Sequence, residues 1–135
     1  MEPTDAAAPQ SQDSQDGRRA VRWRGTVRVV TVAYNPGEEL MRFLDSLGRA
    51  SRRRVRVVIA DNGSEHELVQ EAAERFGAEV VTDGTNRGYG GGANLAARDL
   101  DEDWVVVANP DIVWRPGSLD VLIDAGLNTA GAGCL

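Results

Sequence analysis

Four short runs of β-branched residues, separated by stretches with helical periodicity, constrain this chain more than any other feature. The runs are VRVVTVAY (27–34), VRVVIA (55–60), AEVV (78–81) and WVVVA (104–108). Segments this short and this apolar suit strands buried on both faces, as parallel strands are. Between the first two, EELMRFLDSLGRA (38–50) sets Leu40, Phe43, Leu44 and Leu47 on one stripe. SEHELVQEAAERFG (64–77) opens with Ser64 as N-cap and Glu67 three residues later, the pattern of a capping box. GGANLAARDL (91–100) and GSLDVLIDAG (117–126) give a third and a fourth helix. Strands alternating with helices at this spacing predict βαβ units in an α/β fold, a Rossmann-like open parallel sheet with helices on both faces. Right-handed crossovers then bring every strand C-terminus to one edge, where such sheets take their ligands.

That edge collects polar residues. The first strand ends in TVAYNPG, where Asn35 is placed to cap the next helix and Pro36 to occupy its first position. The second ends in DNGSEHE, with Asp61 at the strand tip and Asn62-Gly63 making the turn. Turn chemistry explains Asn35, Asn62, Gly63 and Ser64. It leaves Asp61 without a local task, because capping falls to Ser64. The third strand leads into TDGTNRGYGGGANLA, a glycine-rich loop entering a helix. The fourth runs straight into Asn109-Pro110-Asp111. Pro110 has no N–H for the ladder and fixes its own φ, so it ends the strand and holds the carboxylate of Asp111 at its tip.

The 135 residues suffice for one domain with a real core. The formal charge of −6 removes nucleic acid from the expected partners. Every residue in the Lys+Arg total of 15 is Arg, a mark of coding composition before chemistry. A single cysteine, Cys134, excludes an internal disulfide and a zinc-ligand cluster. It reads as a small apolar filler, since the sole histidine offers it no evident base. Residues 1–25 are polar and Ala/Ser/Gln/Asp-rich over most of their length and are expected to form a disordered tail. Arg18, Arg19, Arg22 and Arg24 around Trp23 allow either a solvated linker or a peripheral contact with anionic lipid heads. No run approaches the ~20 apolar residues of a membrane span, and no secretory h-region precedes the tail. The expected location is cytoplasmic, with a peripheral membrane position as the variant.

Gly88, Gly90 and Ala93 match the dinucleotide fingerprint G-x-G-x-x-A, with Asp111 downstream as an acidic ribose ligand. Its context is wrong. Six residues separate Val81 from Gly88, and the motif follows the third strand rather than the first. The glycines fit better as backbone brought close to a flat or anionic ligand at a helix N-terminus.

Taken in order, VVTVAYN, VVIADNGS, NRGYGGGAN and VVVANPD resemble the nucleotide-binding half of family 2 glycosyltransferases of the GT-A fold. Within that family the likeness is to actinobacterial rhamnosyltransferases acting on polyprenyl-diphosphate-linked N-acetylglucosamine. It covers about residues 27 to 125. The resemblance implies that Asp111, with Asn109 in the first acidic position of a D-x-D-like motif, holds a divalent cation (Mn2+ or Mg2+) against a sugar-nucleotide diphosphate. It implies that Asp61 accepts the imide N–H of uracil or thymine, and that Thr31, Tyr34 and Asn35 frame base and ribose. Asn86, Arg87 and Gly88 would line the nucleotide cleft and Asn94 would brace that loop. Arg87 is equally readable as a surface charge.

The implied donor is a dTDP- or UDP-sugar, dTDP-L-rhamnose by the nearest likeness, and the acceptor a lipid-linked precursor. The acceptor half, with its catalytic base, lies beyond residue 135 in this family. Residues 26–135 are therefore expected to form an incomplete domain, without a catalytic residue and inactive alone. Asp120 and Asp124, four apart, are expected on a solvated helix face. A sugar-nucleotide-binding remnant without turnover, or a nucleotidyltransferase-like or dinucleotide-binding module, are the alternatives.

Overall fold

A computed structural model describes residues 25–131, 133 and 134; the expected tail and its arginine run lie outside the described residues. Eight elements alternate without exception. They are β1 (Val27–Ala33), α1 (Glu38–Ala50), β2 (Val55–Asp61), α2 (His66–Phe76), β3 (Glu79–Val81), α3 (Gly88–Ala96), β4 (Trp104–Val107) and α4 (Ser118–Leu127). The sheet is parallel throughout, in the order β3-β2-β1-β4.

Handedness explains the layers. The chain steps outward from β1 to β2 to β3, then returns past β1 to β4. Right-handed crossovers on the outward steps and the return step must lie on opposite faces. Accordingly, α1 and α2 pack with α4 on Val27, Val29, Ala33 and Ile59, while α3 covers Val30, Val32, Val58 and Ala60 through Ala93 and Ala96. The period-2 alternation of β1 thus feeds both cores, and β1 is buried at every position. The two outer strands differ from the expectation of burial on both faces. β4 alternates partly buried and exposed residues, leaving Val105 and Val107 open to solvent, and β3 is only partly covered. Edge strands lack one neighbour, and α3 packs mainly over β1 and β2.

On the α3 face, the paired positions Arg28 and Arg56 depart from the apolar pattern. Arg28 in β1 is 2% exposed. Its guanidinium donates to the carbonyls of Ala96 (3.3 Å), Arg98 (2.7 Å) and Asp99 (3.2 Å). It also pairs with Glu102 at 2.8 Å. A fixed cation here satisfies the carbonyls that the end of α3 leaves unpaired and suits the negative end of the helix dipole. Burial pushes the Glu102 carboxyl up, but the hydrogen bond and charge of Arg28 and nearby backbone N–H groups outweigh it and hold it at about 2.

Asp120 is partly buried rather than on a solvated face, which corrects that expectation for it, whereas Asp124 is exposed as expected. Asp120 accepts from the Ser51 hydroxyl and from Arg52 N–H (2.9 Å), and Asp124 pairs with Arg53 at 2.6 Å. Together they fasten α4 to the α1–β2 loop. The Ser51 hydroxyl, the Arg52 N–H and the neighbouring arginines hold the Asp120 carboxyl below its ordinary range.

Candidate functional site at the strand C-termini

The strand order reverses between β1 and β4, and the crevice outside their C-termini is the expected ligand position in such a sheet. The segments that reach this edge are Tyr34–Asn35 after β1, Asp61–Ser64 after β2, Asn86–Gly88 before α3 and Asn109–Asp111 after β4.

Three asparagines organise the edge, two by long-range bonds and one within its own turn. Asn35 adopts a left-handed conformation, φ 46°, and its Oδ1 reaches across to the next loop. There it accepts from Ser64 N–H (2.8 Å), Glu65 N–H (3.1 Å) and the Ser64 hydroxyl (3.3 Å). Asn35 therefore serves the entry to α2, not α1, whose N-cap is Gly37 with no side-chain bond. The capping box at Ser64 and Glu67 does not form, because α2 begins at His66 and Ser64 points its donors back at Asn35. Gly63 is required by this contact: a Cβ there would stand 2.7 Å from Asn35 N.

Asn62 is the second organiser. Its backbone N–H donates to Ala33 C=O (2.8 Å) and its side chain to Gly88 C=O (2.8 Å). Asn62 braces the glycine loop, while Asn94 sits exposed on α3 with no side-chain hydrogen bond among the described residues. Gly92 packs so tightly that a Cβ would lie 2.9 Å from both the Asn62 amide and Val32. The helix also starts earlier than its sequence suggests, at Gly88 with φ 70°. Asn86, the third asparagine, closes the turn by accepting from Gly88 N–H (2.9 Å).

Asp61 is buried, 3% exposed, and it has the local task its sequence seemed to lack. Oδ1 accepts from Gly63 N–H (3.1 Å) and Oδ2 lies 2.5 Å from Nδ1 of His66. Asp61 and His66 line a cavity of about 490 Å³ with Gln70, Val80 and Thr82. Arg87 is committed to an ion pair with Asp83. The Arg87 hydrogen bond, with further donors from Thr85, lowers the Asp83 carboxyl. Thr31 is fully buried with its hydroxyl unpartnered, so it supports the edge from beneath, whereas Tyr34 is 64% exposed above it.

Asp111 stands apart from this web. Pro110 and Asp111 form a turn closed by Ile112 N–H to Asn109 C=O (3.4 Å), after the last ladder bond from Ala108 N–H to Val30 C=O (3.0 Å). Downstream, Trp114 is buried edge-on to Phe43 and donates its backbone N–H to the buried Ser46 hydroxyl (3.0 Å). The turn is thus anchored on both sides, while Asp111 itself is exposed and accepts no hydrogen bond from the described residues. Among the described residues no group of three or more His, Cys, Asp or Glu could cage a metal. One free carboxylate beside Asn109 fits a hard cation that draws most of its oxygens from phosphate and water.

A family model described as Glycosyl transferase family 2 matches residues 28–129. The chain belongs to this family. It is 43% identical over 119 residues to the N-acetylglucosaminyl-diphospho-decaprenol L-rhamnosyltransferase of Mycobacterium tuberculosis (strain CDC 1551 / Oshkosh). The match covers 79% of this chain and 39% of that protein. The same identity and coverage hold for the protein of that name from strain ATCC 25618 / H37Rv. This chain thus spans about two fifths of the length of those relatives.

Solved structures share the GT-A fold at low identity. S. aureus TarS 1-349 in complex with UDP matches with a TM-score of 0.62 at 20% identity, covering 82% of this chain and 38% of that one. The mannosyltransferase PcManGT from Pyrobaculum calidifontis, in complex with GDP-Man and Mn2+, matches at 0.63 and 24% identity, covering 73% and 30%.

Proposed function

We propose that residues 26–135 form the donor-binding part of a rhamnosyltransferase that takes a pyrimidine nucleotide-diphosphate sugar, dTDP-L-rhamnose, and glycosylates a lipid-linked saccharide precursor. The observation that carries this is the pairing, on one sheet edge, of a buried oriented carboxylate and a free exposed one. Asp61 is fixed by two partners at the tip of β2, which suits recognition of a single N–H on a flat base. Asp111 is held on a turn with its oxygens unclaimed, which suits a cation. Likeness to relatives named for a lipid-linked acceptor and for rhamnosyl transfer supports the choice of sugar and acceptor.

In this reading Tyr34 offers its exposed ring to base or ribose. The glycine turn at Asn86–Gly88 lets backbone approach the ligand where a side chain would intrude. Backbone N–H groups at the start of α3 favour phosphate oxygens. Asp111, with Asn109 beside it, would hold Mn2+ or Mg2+. When bound, the cation neutralises the diphosphate and stabilises it as a leaving group. Arg87 is tied to Asp83, so its part in the cleft requires that pair to open when nucleotide enters. The work of this chain's own residues is to select the base, seat the diphosphate and expose the anomeric carbon to an acceptor hydroxyl. A lipid-linked acceptor would bring the protein to a membrane surface; among the described residues no helix is long and apolar enough to cross one.

Thermal unfolding tests this directly. dTDP or UDP with Mn2+ should raise the melting temperature in a concentration-dependent way, by the linkage of ligand to the folded state. NAD should not. Protection by NAD alone would replace this reading with a dinucleotide-binding one.

A further inference from the structure

The histidine at the start of α2 has no part in the motifs read from the sequence, yet it makes the shortest contact of the buried carboxylate. We infer that His66 is a positioning residue for nucleobase recognition, acting through Asp61; the inference rests on the proposed role of Asp61 as acceptor of the base imide.

The geometry begins with the turn. Asn35 holds Ser64 and Glu65 by their N–H groups, which fixes where α2 begins. His66 is the first residue of that helix, and the turn carries its ring back over the end of β2, five positions from Asp61. Nδ1 then lies 2.5 Å from Asp61 Oδ2, while Oδ1 takes Gly63 N–H from the opposite side. With one donor on each oxygen, the carboxylate plane is set by two independent contacts.

A carboxylate has about four acceptor directions. Two remain after these bonds, so an incoming imide N–H can be accepted without displacing either protein donor. The contact also sets the tautomer, because the nitrogen facing the carboxylate must carry hydrogen. The fold has little use for the ring itself: it is 59% exposed and packs in neither hydrophobic cluster. A side chain with this exposure and this single directed bond orients Asp61 rather than holding the core.

The experiment measures binding of UDP and dTDP by calorimetry in the presence of Mn2+. Wild type, His66→Ala, His66→Asn and Asp61→Asn are compared, with inorganic diphosphate plus Mn2+ as a ligand that lacks a base. His66→Ala should weaken both nucleotides by about tenfold, the scale of one hydrogen bond to a charged group. It should leave diphosphate binding unchanged, with the variant still folded at the temperature of the titration. His66→Asn keeps a donor near the Nδ1 position and should recover most of the loss. In the Asp61→Asn background, His66→Ala should have no further effect.

Wild type that binds UDP in an Asp61-dependent manner, with His66→Ala binding equally well, overturns the inference and leaves the role of Asp61 standing. Equal losses for nucleotide and diphosphate, or no rescue by His66→Asn, also overturn it. Wild type that binds neither nucleotide overturns both.

Discussion

Replacing Arg28 by Met should cost more stability than any change of similar size on the surface, although Arg28 lies at the far end of the sheet from the candidate site. Met keeps much of the stem but removes the guanidinium from three carbonyls at the end of α3 and from Glu102. Glu102 is only 10% exposed, so its charge would be left largely buried with only the more exposed Arg56, at 3.3 Å, as a cationic partner. Removing one member of a fully buried pair typically costs about 3–5 kcal/mol, and the remaining Arg56 contact places this loss at the lower end of that range. The same contacts, with nearby backbone N–H groups, stabilise the folded carboxylate and lower its carboxyl from 4.5 to about 2. Because the folded value is depressed, this contribution is full above pH 4.5 and is lost as pH falls through about 2. Urea unfolding followed by circular dichroism, at neutral pH and at steps down to pH 3, reads both effects. Arg28→Met should be destabilised by about 3 kcal/mol at neutral pH and should lose much of the wild-type decline in acid. The double variant Arg28→Met/Glu102→Gln should recover part of the loss, since no charge is left uncompensated. An Arg28→Met variant as stable as wild type, or a double variant worse than the sum of the singles, would refute this reasoning.

Three further outcomes follow from the same contacts. Asp61→Asn, which turns an acceptor into an amide, should weaken UDP and dTDP by about 1.5–3 kcal/mol in calorimetry; unchanged affinity would return Asp61 to the turn alone. Gly92→Ala forces a Cβ to within 2.9 Å of Asn62 and Val32 and should lower unfolding stability by about 1–3 kcal/mol, with no loss if the helix shifts freely. Asp120→Asn should weaken the docking of α4 and flatten the acid limb of the stability curve. The lowered Asp120 carboxyl stabilises the fold above the ordinary aspartate range and ceases to do so as pH falls through its folded value.

Local pattern reveals what is local here. The Leu40–Phe43–Leu44–Leu47 stripe marks α1 over the span it occupies, and Pro110 marks the end of β4, because each acts through its neighbours in sequence. The α/β alternation, with handed crossovers, suffices to place Asp61 and Asp111 on one edge. What the sequence hides is carried by partners far apart in the chain. Asn35 looks like a cap for α1 but spends its oxygen on Ser64 and Glu65, about thirty residues away. Arg28 sits in a run of valines and finds its carbonyls about seventy residues later. Asp120 and Asp124 have the spacing of a wet helix face, and only the tertiary approach of the Ser51–Arg53 loop gives them partners. The glycine run conceals the first turn of α3, since glycine disfavours helix unless packing decides, and Gly92 against Val32 and Asn62 does decide. His66 left one trace, its place just after the turn that Asp61 begins. No periodicity argument converts that place into a contact.

The account's central claim is that this edge seats a pyrimidine nucleotide diphosphate with a divalent cation at Asp111. Calorimetric titration of dTDP and UDP into wild type and Asp111→Ala, each with Mn2+ and with a chelator, tests it most directly. Wild type should bind in the presence of Mn2+ and lose most of that affinity with the chelator. Asp111→Ala should bind weakly in both conditions while melting at the wild-type temperature, because the Asp111 carboxylate accepts no hydrogen bond from the described residues. Equal, Mn2+-dependent affinity in wild type and Asp111→Ala would contradict it.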